Sequence, residues 1–127
     1  MWSRAKGIGI GRAYCQGIAK EGGAVVVADI NGAAAEGVAK AIADSGGKAL
    51  SVQVDVANSA SCLEMAKIAL DKFGKIDGLI NNAAIFMSVP VTKGGWQDID
   101  EGEWDRVMAV NVKGLIVTAL YRLWRNG

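Results

Sequence analysis

Gly7-Ile8-Gly9-Ile10-Gly11 leads into the first helical pattern of the chain, Arg12 to Glu21. Glycines let backbone amides come close to a pyrophosphate. A helix N-terminus adds N–H donors and positive potential there. The loop lacks the Lys-Ser/Thr ending of a triphosphate loop, and Arg12 stands where G-x-G-x-x-G counted from Gly7 needs its third glycine. A plain flexible turn is the competing explanation. Asp29 strengthens the anion-binding one. It ends a strand-like run about 20 positions beyond the loop, where a carboxylate can accept hydrogen bonds from ribose hydroxyls. The same charge repels a 2′-phosphate. Capping of the next helix would also explain Asp29. Asp55-Val56 and Asn81-Asn82-Ala83-Ala84 end two further strand-like runs. Small residues and amides at such ends let a flat ligand approach, and turn chemistry favours the same residue types.

These groups need elements to hold them. Three strand-like runs start at Ala24, Lys48 and Ile76. The run 24–29 is apolar on both parities, as a strand covered on both faces should be. The run 49–54 is mixed and suits an edge; the run 76–81 has Ile76, Leu79 and Ile80 as apolar members. Helical patterns fill the gaps. Arg12–Glu21 stops at Gly22-Gly23, and 32–43 has Asn31 as its cap and Gly46-Gly47 beyond it. Residues 60–73 have Ser59 as cap, Gly74 as stop, and Leu63, Ala66, Ala69 and Leu70 on one face. A last helix is predicted over about 101–124, with Asp100 and Glu103 in a capping-box pattern. Strand and helix alternating at about 25-residue spacing predict βαβ units and a parallel sheet. The long irregular stretch 84–99 holds the only proline, Pro90, and follows the end of a strand, the edge where open α/β sheets bind ligands.

Composition removes other chemistries. The 127 residues include no histidine, which excludes Ser-His-Asp and Cys-His catalysis and every histidine-containing metal site. Cys15 and Cys62 fall in helical patterns and read as small apolar residues, so a reducing cytoplasm is the expected location. A net charge of +1 gives no reason to expect a nucleic-acid or membrane partner. No apolar run reaches the ~18 residues of a membrane span. The acidic group Asp98, Asp100, Glu101, Glu103 and Asp105 complements a helix start rather than holding a metal. Trp104 is expected to pack on its helix; Trp96 is an open case beside a substrate pocket.

Taken in order, Gly9-Ile10-Gly11-Arg12, Val25-Val26-Val27-Ala28-Asp29, Asp55-Val56, Asn81-Asn82-Ala83-Ala84 and Asn111-Val112-Lys113-Gly114 resemble the classical short-chain dehydrogenase/reductase family over nearly the whole chain. The resemblance implies a Rossmann-like, doubly wound parallel α/β sheet in a single domain, 1–127. It implies that Gly7, Gly9, Ile10 and Gly11 cradle a pyrophosphate. Asp29 and Ile30 would face the adenosine ribose, and Asp55 and Val56 would border the adenine. Asn82, Ala83 and Ala84 would lie along the cofactor. Asn111 would be the catalytic asparagine that holds a water in a proton relay; a helix-interior asparagine bonding its own backbone is the competing reading. The implied cofactor is NAD, with NADP disfavoured by Asp29.

The pattern also departs from the family. The family loop reads T-G-x-x-x-G-x-G, and counting back from Gly9 puts Ala5 and Arg4 at its first two positions; counting from Gly7 puts Ser3 and Trp2 there. Ala84 replaces a glycine. The family's serine and its Tyr-x-x-x-Lys pair are absent, because Tyr121 is followed four positions on by Arg125 and reads as a helix residue. Met1 to Lys6 is not strand-like. The expectation is a partial fold, without its first strand and its catalytic C-terminal part. In the family's 3-2-1-4 strand order, the missing strand would separate the runs 24–29 and 76–81. Open edges there predict a marginal or oligomeric chain. Function is then the cofactor-binding portion of an NAD(H)-dependent oxidoreductase acting on a small alcohol or ketone. The alternative is a non-catalytic nucleotide-binding or interaction module, pairing with itself or with a full-length relative.

Overall fold

A computed structural model describes residues 9–86 and 96–126. The elements are α1 (Ile10–Lys20), β1 (Ala24–Asp29), α2 (Gly32–Asp44), β2 (Lys48–Gln53), α3 (Ser59–Phe73), a 3-10 turn (Trp96–Asp98), α4 (Glu101–Met108), a π-helical turn (Ala109–Lys113) and α5 (Gly114–Asn126). Gly7 and Pro90, and the side chains of Trp96 and Tyr121, lie outside the described residues.

Parallel pairing organises the first half. β1 pairs with β2 from Ala24 opposite Lys48 to Asp29 opposite Gln53. Two parallel strands need a crossover, and α2 supplies it. The two parities of β1 then face two layers. Val25 and Val27 pack with Ala19, Ala35, Ala39 and Ile42 of α1 and α2. Ala28 turns the other way, toward Val54, Cys62 and Val117. A strand covered on both faces explains the absence of polar alternation in Val25-Val26-Val27-Ala28. Alanines at the helix contacts let backbones approach closely, while each buried valine or isoleucine contributes roughly 1.5–3 kcal/mol.

Helix ends follow the chemistry read from the sequence. Gly22 and Gly46 take positive φ, 89° and 83°. Gly22 N–H donates to Ala19 O and Gly23 N–H to Ile18 O, and the same pair recurs as Gly46 to Ala43 and Gly47 to Ile42. These are Schellman endings. A Cβ on Gly23 or Gly47 would stand only 2.5 or 2.7 Å from the isoleucine Cγ2 beneath it. At the starts, Asn31 accepts from Ala34 N–H and Asp100 from Glu103 N–H, as predicted.

Five expectations need correction. Asn58, not Ser59, caps α3: its side chain accepts from Ser61 N–H, and the helix begins at Ser59. The face of α3 is Cys62, Ala66 and Ala69, with Leu63 and Leu70 only half-buried. Residues 76–81 are not a strand. A strand exists only in a ladder, and the sheet of the described residues has two strands, β1 and β2. The long final helix is interrupted, because Gly114 N–H reaches back five residues to Ala109 O around Asn111. Finally, Trp104 does not pack away; it is 49% exposed.

Two glycines in α2 and its stop should respond oppositely to alanine. Gly37 is helical with nothing within 4 Å of an added Cβ, so Gly37→Ala should raise stability by about 0.8–1 kcal/mol. Gly46 has equal space but φ +83°, so Gly46→Ala should lower it by about 1 kcal/mol. Urea midpoints of the two variants check both signs.

Candidate functional site

Because β1 and β2 run parallel, their carboxyl ends reach the same edge of the sheet. Asp29-Ile30 and the turn after Val54 meet there, and Val54 N–H still donates to Asp29 O at 3.0 Å. The start of α1 opens on the same side. Together with residues 75–83 these parts line an open cleft of about 1300 Å³ that runs along the whole of β1, from Gly22 to Asn31. Gly9, Gly11, Asp29 and Asn82 are among the residues that line it. Val25, Val27, Cys62 and Ala66 contribute apolar wall.

Gly9 is the N-cap of α1, in extended conformation, and it provides no side-chain cap. The starts of α2, α3 and α4 are each capped by an Asn or Asp side chain. No acidic residue lies in the first turn of α1. Gly9 and Gly11 at this helix start line the cleft, where the positive end of a helix fits a phosphate group.

Asp29 is positioned by a tight turn, its Oδ1 accepting from Asn31 N–H at 2.9 Å. Asn31, not Asp29, caps α2. Beside it Ile30 is 55% exposed, and its carbonyl accepts from Gln53 Nε2 at 3.1 Å. Asp55 makes a similar turn, with Oδ1 accepting from Ala57 N–H at 2.9 Å, while its own N–H donates to Ser61 Oγ at 3.0 Å. Cys62 Sγ lies 3.8 Å from Asp55 O and 3.6 Å from Val56 O, so a buried thiol supports this turn from below. Burial pushes the Cys62 thiol above its ordinary pKa, and the Asp55 carboxylate adds to that; burial also raises Cys15. Neither thiol is an activated nucleophile at neutral pH. Among the described residues no three His, Cys, Asp or Glu side chains gather to hold a metal ion.

The wall opposite β1 is held by side chains. Asn111 grips the backbone of Ile85 at both polar atoms: its Oδ1 accepts from Ile85 N–H and its Nδ2 donates to Ile85 O, each at 2.8 Å. Its partners belong to a distant segment, not to its own helix. Asn81 Oδ1 accepts from Thr118 Oγ1 at 2.6 Å and its Nδ2 donates to Leu115 O at 3.3 Å. Gly114 lets α5 approach the Asp55-Val56 turn; an added Cβ would lie 3.0 Å from Val56 Cγ2 and 3.2 Å from Val56 O.

Of the residues singled out by sequence, the cleft brings together Gly9, Gly11, Asp29, Ile30, Val56, Asn82 and Ala83. Ile10, Asp55, Ala84 and Asn111 stand outside its lining, with Ile10 on the exposed start of α1. Thr118 and the close approach of Gly114 escape a reading of the sequence. One signal existed for Thr118, a lone hydroxyl in the apolar run Gly114 to Leu120.

The family described as short chain dehydrogenase matches residues 5–123. Sorbitol dehydrogenase of Cereibacter sphaeroides is 38% identical over 108 residues, covering 85% of this chain and 39% of that protein. Galactitol 2-dehydrogenase of Agrobacterium fabrum is 40% identical over 110 residues, covering 87% of this chain and 39% of that protein. Among solved structures, a short-chain dehydrogenase/reductase from Serratia marcescens superposes with a TM-score of 0.81 at 34% identity, over 91% of this chain and 45% of that one. The chain thus spans less than half the length of these relatives. With helices on both faces of a parallel pair and this match over most of its length, the chain belongs to the short-chain dehydrogenase family of oxidoreductases.

Proposed function

We propose that the cleft binds NAD(H) and that the chain is the cofactor-binding portion of an oxidoreductase that converts small alcohols and ketones. The observation that carries this reading is the cleft shared by a glycine-led helix start and the carboxylate of Asp29. Gly9, Ile10 and Gly11, with Gly7 before them, would face the pyrophosphate. Asp29 and Ile30 would take the adenosine ribose, and Asp55 and Val56 the adenine edge. Asn82, Ala83 and Ala84 would follow the rest of the cofactor. The nicotinamide, when bound, accepts or gives hydride. Asp29 favours NAD over NADP, because its charge meets a 2′-phosphate at the ribose.

Asn111 is assigned to the proton relay in a particular way. Both polar atoms of its side chain are committed to Ile85, so a relay water would be held by its main chain, within the π-helical turn. The substrate class rests on likeness: relatives at 38% and 40% identity are named for sorbitol and galactitol, both polyols. Among the described residues no helix is long and apolar enough to cross a membrane. Self-association of the chain is part of the proposal. Met108, Val112, Ile116 and Leu120, 39–58% exposed, recur every fourth residue from α4 through the π-helical turn into α5 and support it. A monomeric mass by sedimentation at tens of micromolar would remove that part.

Thermal unfolding with cofactor tests the reading. Saturating NADH at 100 times its Kd should stabilise the chain by about 2.7 kcal/mol. NADPH at the same concentration should do less, and Asp29→Ser should narrow the gap. Absence of any shift with millimolar NADH would contradict cofactor binding by this chain.

A further inference from the structure

Thr118 is the buried polar side chain among the described residues, 5% exposed. A hydroxyl has one proton to donate. Inside a helix it can satisfy itself on the carbonyl four residues back, and Gly114 O lies 2.8 Å from Thr118 Oγ1. The shorter contact is to Asn81 Oδ1, at 2.6 Å and 37 positions away in sequence. Asn81 returns the contact, donating through Nδ2 to Leu115 O. Its carboxamide is thereby fixed in one orientation, oxygen toward Thr118 and nitrogen toward the helix backbone.

Asn81 begins the short segment that ends at Ile85, where Asn111 holds the second end. Four residues of extended chain span about 13 Å. The seven residues from Asn111 to Thr118 rise about 10 Å along a helix. Segment and helix are therefore commensurate and lie side by side, joined at both ends. Asn82 and Ala83, which line the cleft, sit between the two joints. No strand of the described sheet supports them, since residues 75–86 carry no ladder.

We propose that Thr118 is a positioning residue: its hydroxyl acts through Asn81 to set where Asn82 and Ala83 meet the cofactor. The consequence for affinity rests on the NAD(H) reading above; the latch itself does not. The test uses the full 127-residue chain as Thr118→Val, which removes the hydroxyl at nearly constant shape, and Thr118→Ser, which keeps it. Amide hydrogen exchange over 82–85 is measured beside NADH fluorescence titration. Thr118→Val should speed exchange over 82–85 roughly tenfold, leave β1 and β2 within about twofold, and weaken NADH about tenfold. Thr118→Ser should restore both. Where Thr118→Val does not fold, Asn81→Ala breaks the same joint from its exposed side and should give the same exchange pattern.

Unchanged exchange over 82–85, or acceleration equal to that of β1 and β2, overturns the latch. A loosened segment with unchanged NADH affinity overturns the positioning role. If the unsubstituted chain binds no NADH, the cofactor reading fails and the positioning claim falls with it, while the exchange measurement still decides the latch.

Discussion

Parallel pairing of β1 with β2 is the constraint on which the rest depends. Two strands running the same way must both end at one edge, and that edge receives Asp29 and Asp55. The crossover helix α2 seals one face through Ala35, Ala39 and Ile42. α1 packs on the same side of β1, and its glycine-led start lines one cleft with Asp29. A one-residue slip would exchange the two faces of β2 and expose Val52, now 7% exposed. The register is thus enforced by the core, and the site inherits its geometry from the register.

The opposite wall of the cleft is made differently. Residues 81–85 have backbone groups that no described strand satisfies through a ladder. Asn111 bonds both polar backbone atoms of Ile85, substituting a carboxamide for a neighbouring strand. Asn81 and Thr118 join the other end. A helix that must present two polar side chains to one segment, and let Gly114 close on the Asp55-Val56 turn, deviates from regular spacing. The π-helical turn at Ala109–Lys113 lies between these contacts, where an extra residue re-aims the side chains around Asn111.

Much of this was legible in the amino-acid order because the signals were local. Valines on both parities of 24–29 announce a strand covered on both faces, and Gly22 and Gly46 mark stops that demand positive φ. Asn31 and Asp100 carry caps whose acceptors bond three residues on. The misreadings were cases where a distant partner decides. Ile76, Leu79 and Ile80 look like a strand, but a ladder needs a second strand beside them, and none of the described strands pairs there. Whether Asn111 bonds its own helix or another segment is likewise decided from afar, by Ile85, 26 positions earlier. The cap of α3 moved by one residue because Asn58 and Ser59 are both good caps, and only the Asn58 side chain reaches Ser61 N–H.

The proposed dinucleotide site is one cleft, lined by the start of α1, the end of β1 and residues 81–83. The most direct measurement is an NMR titration of the isotope-labelled chain with NADH. Perturbed amides should cluster at 9–12, 29–31, 55–57 and 82–85, leaving the exposed side of α2 around Glu36 and Lys40 unaffected. Perturbation spread over that outer face, or none at millimolar NADH, would contradict the account.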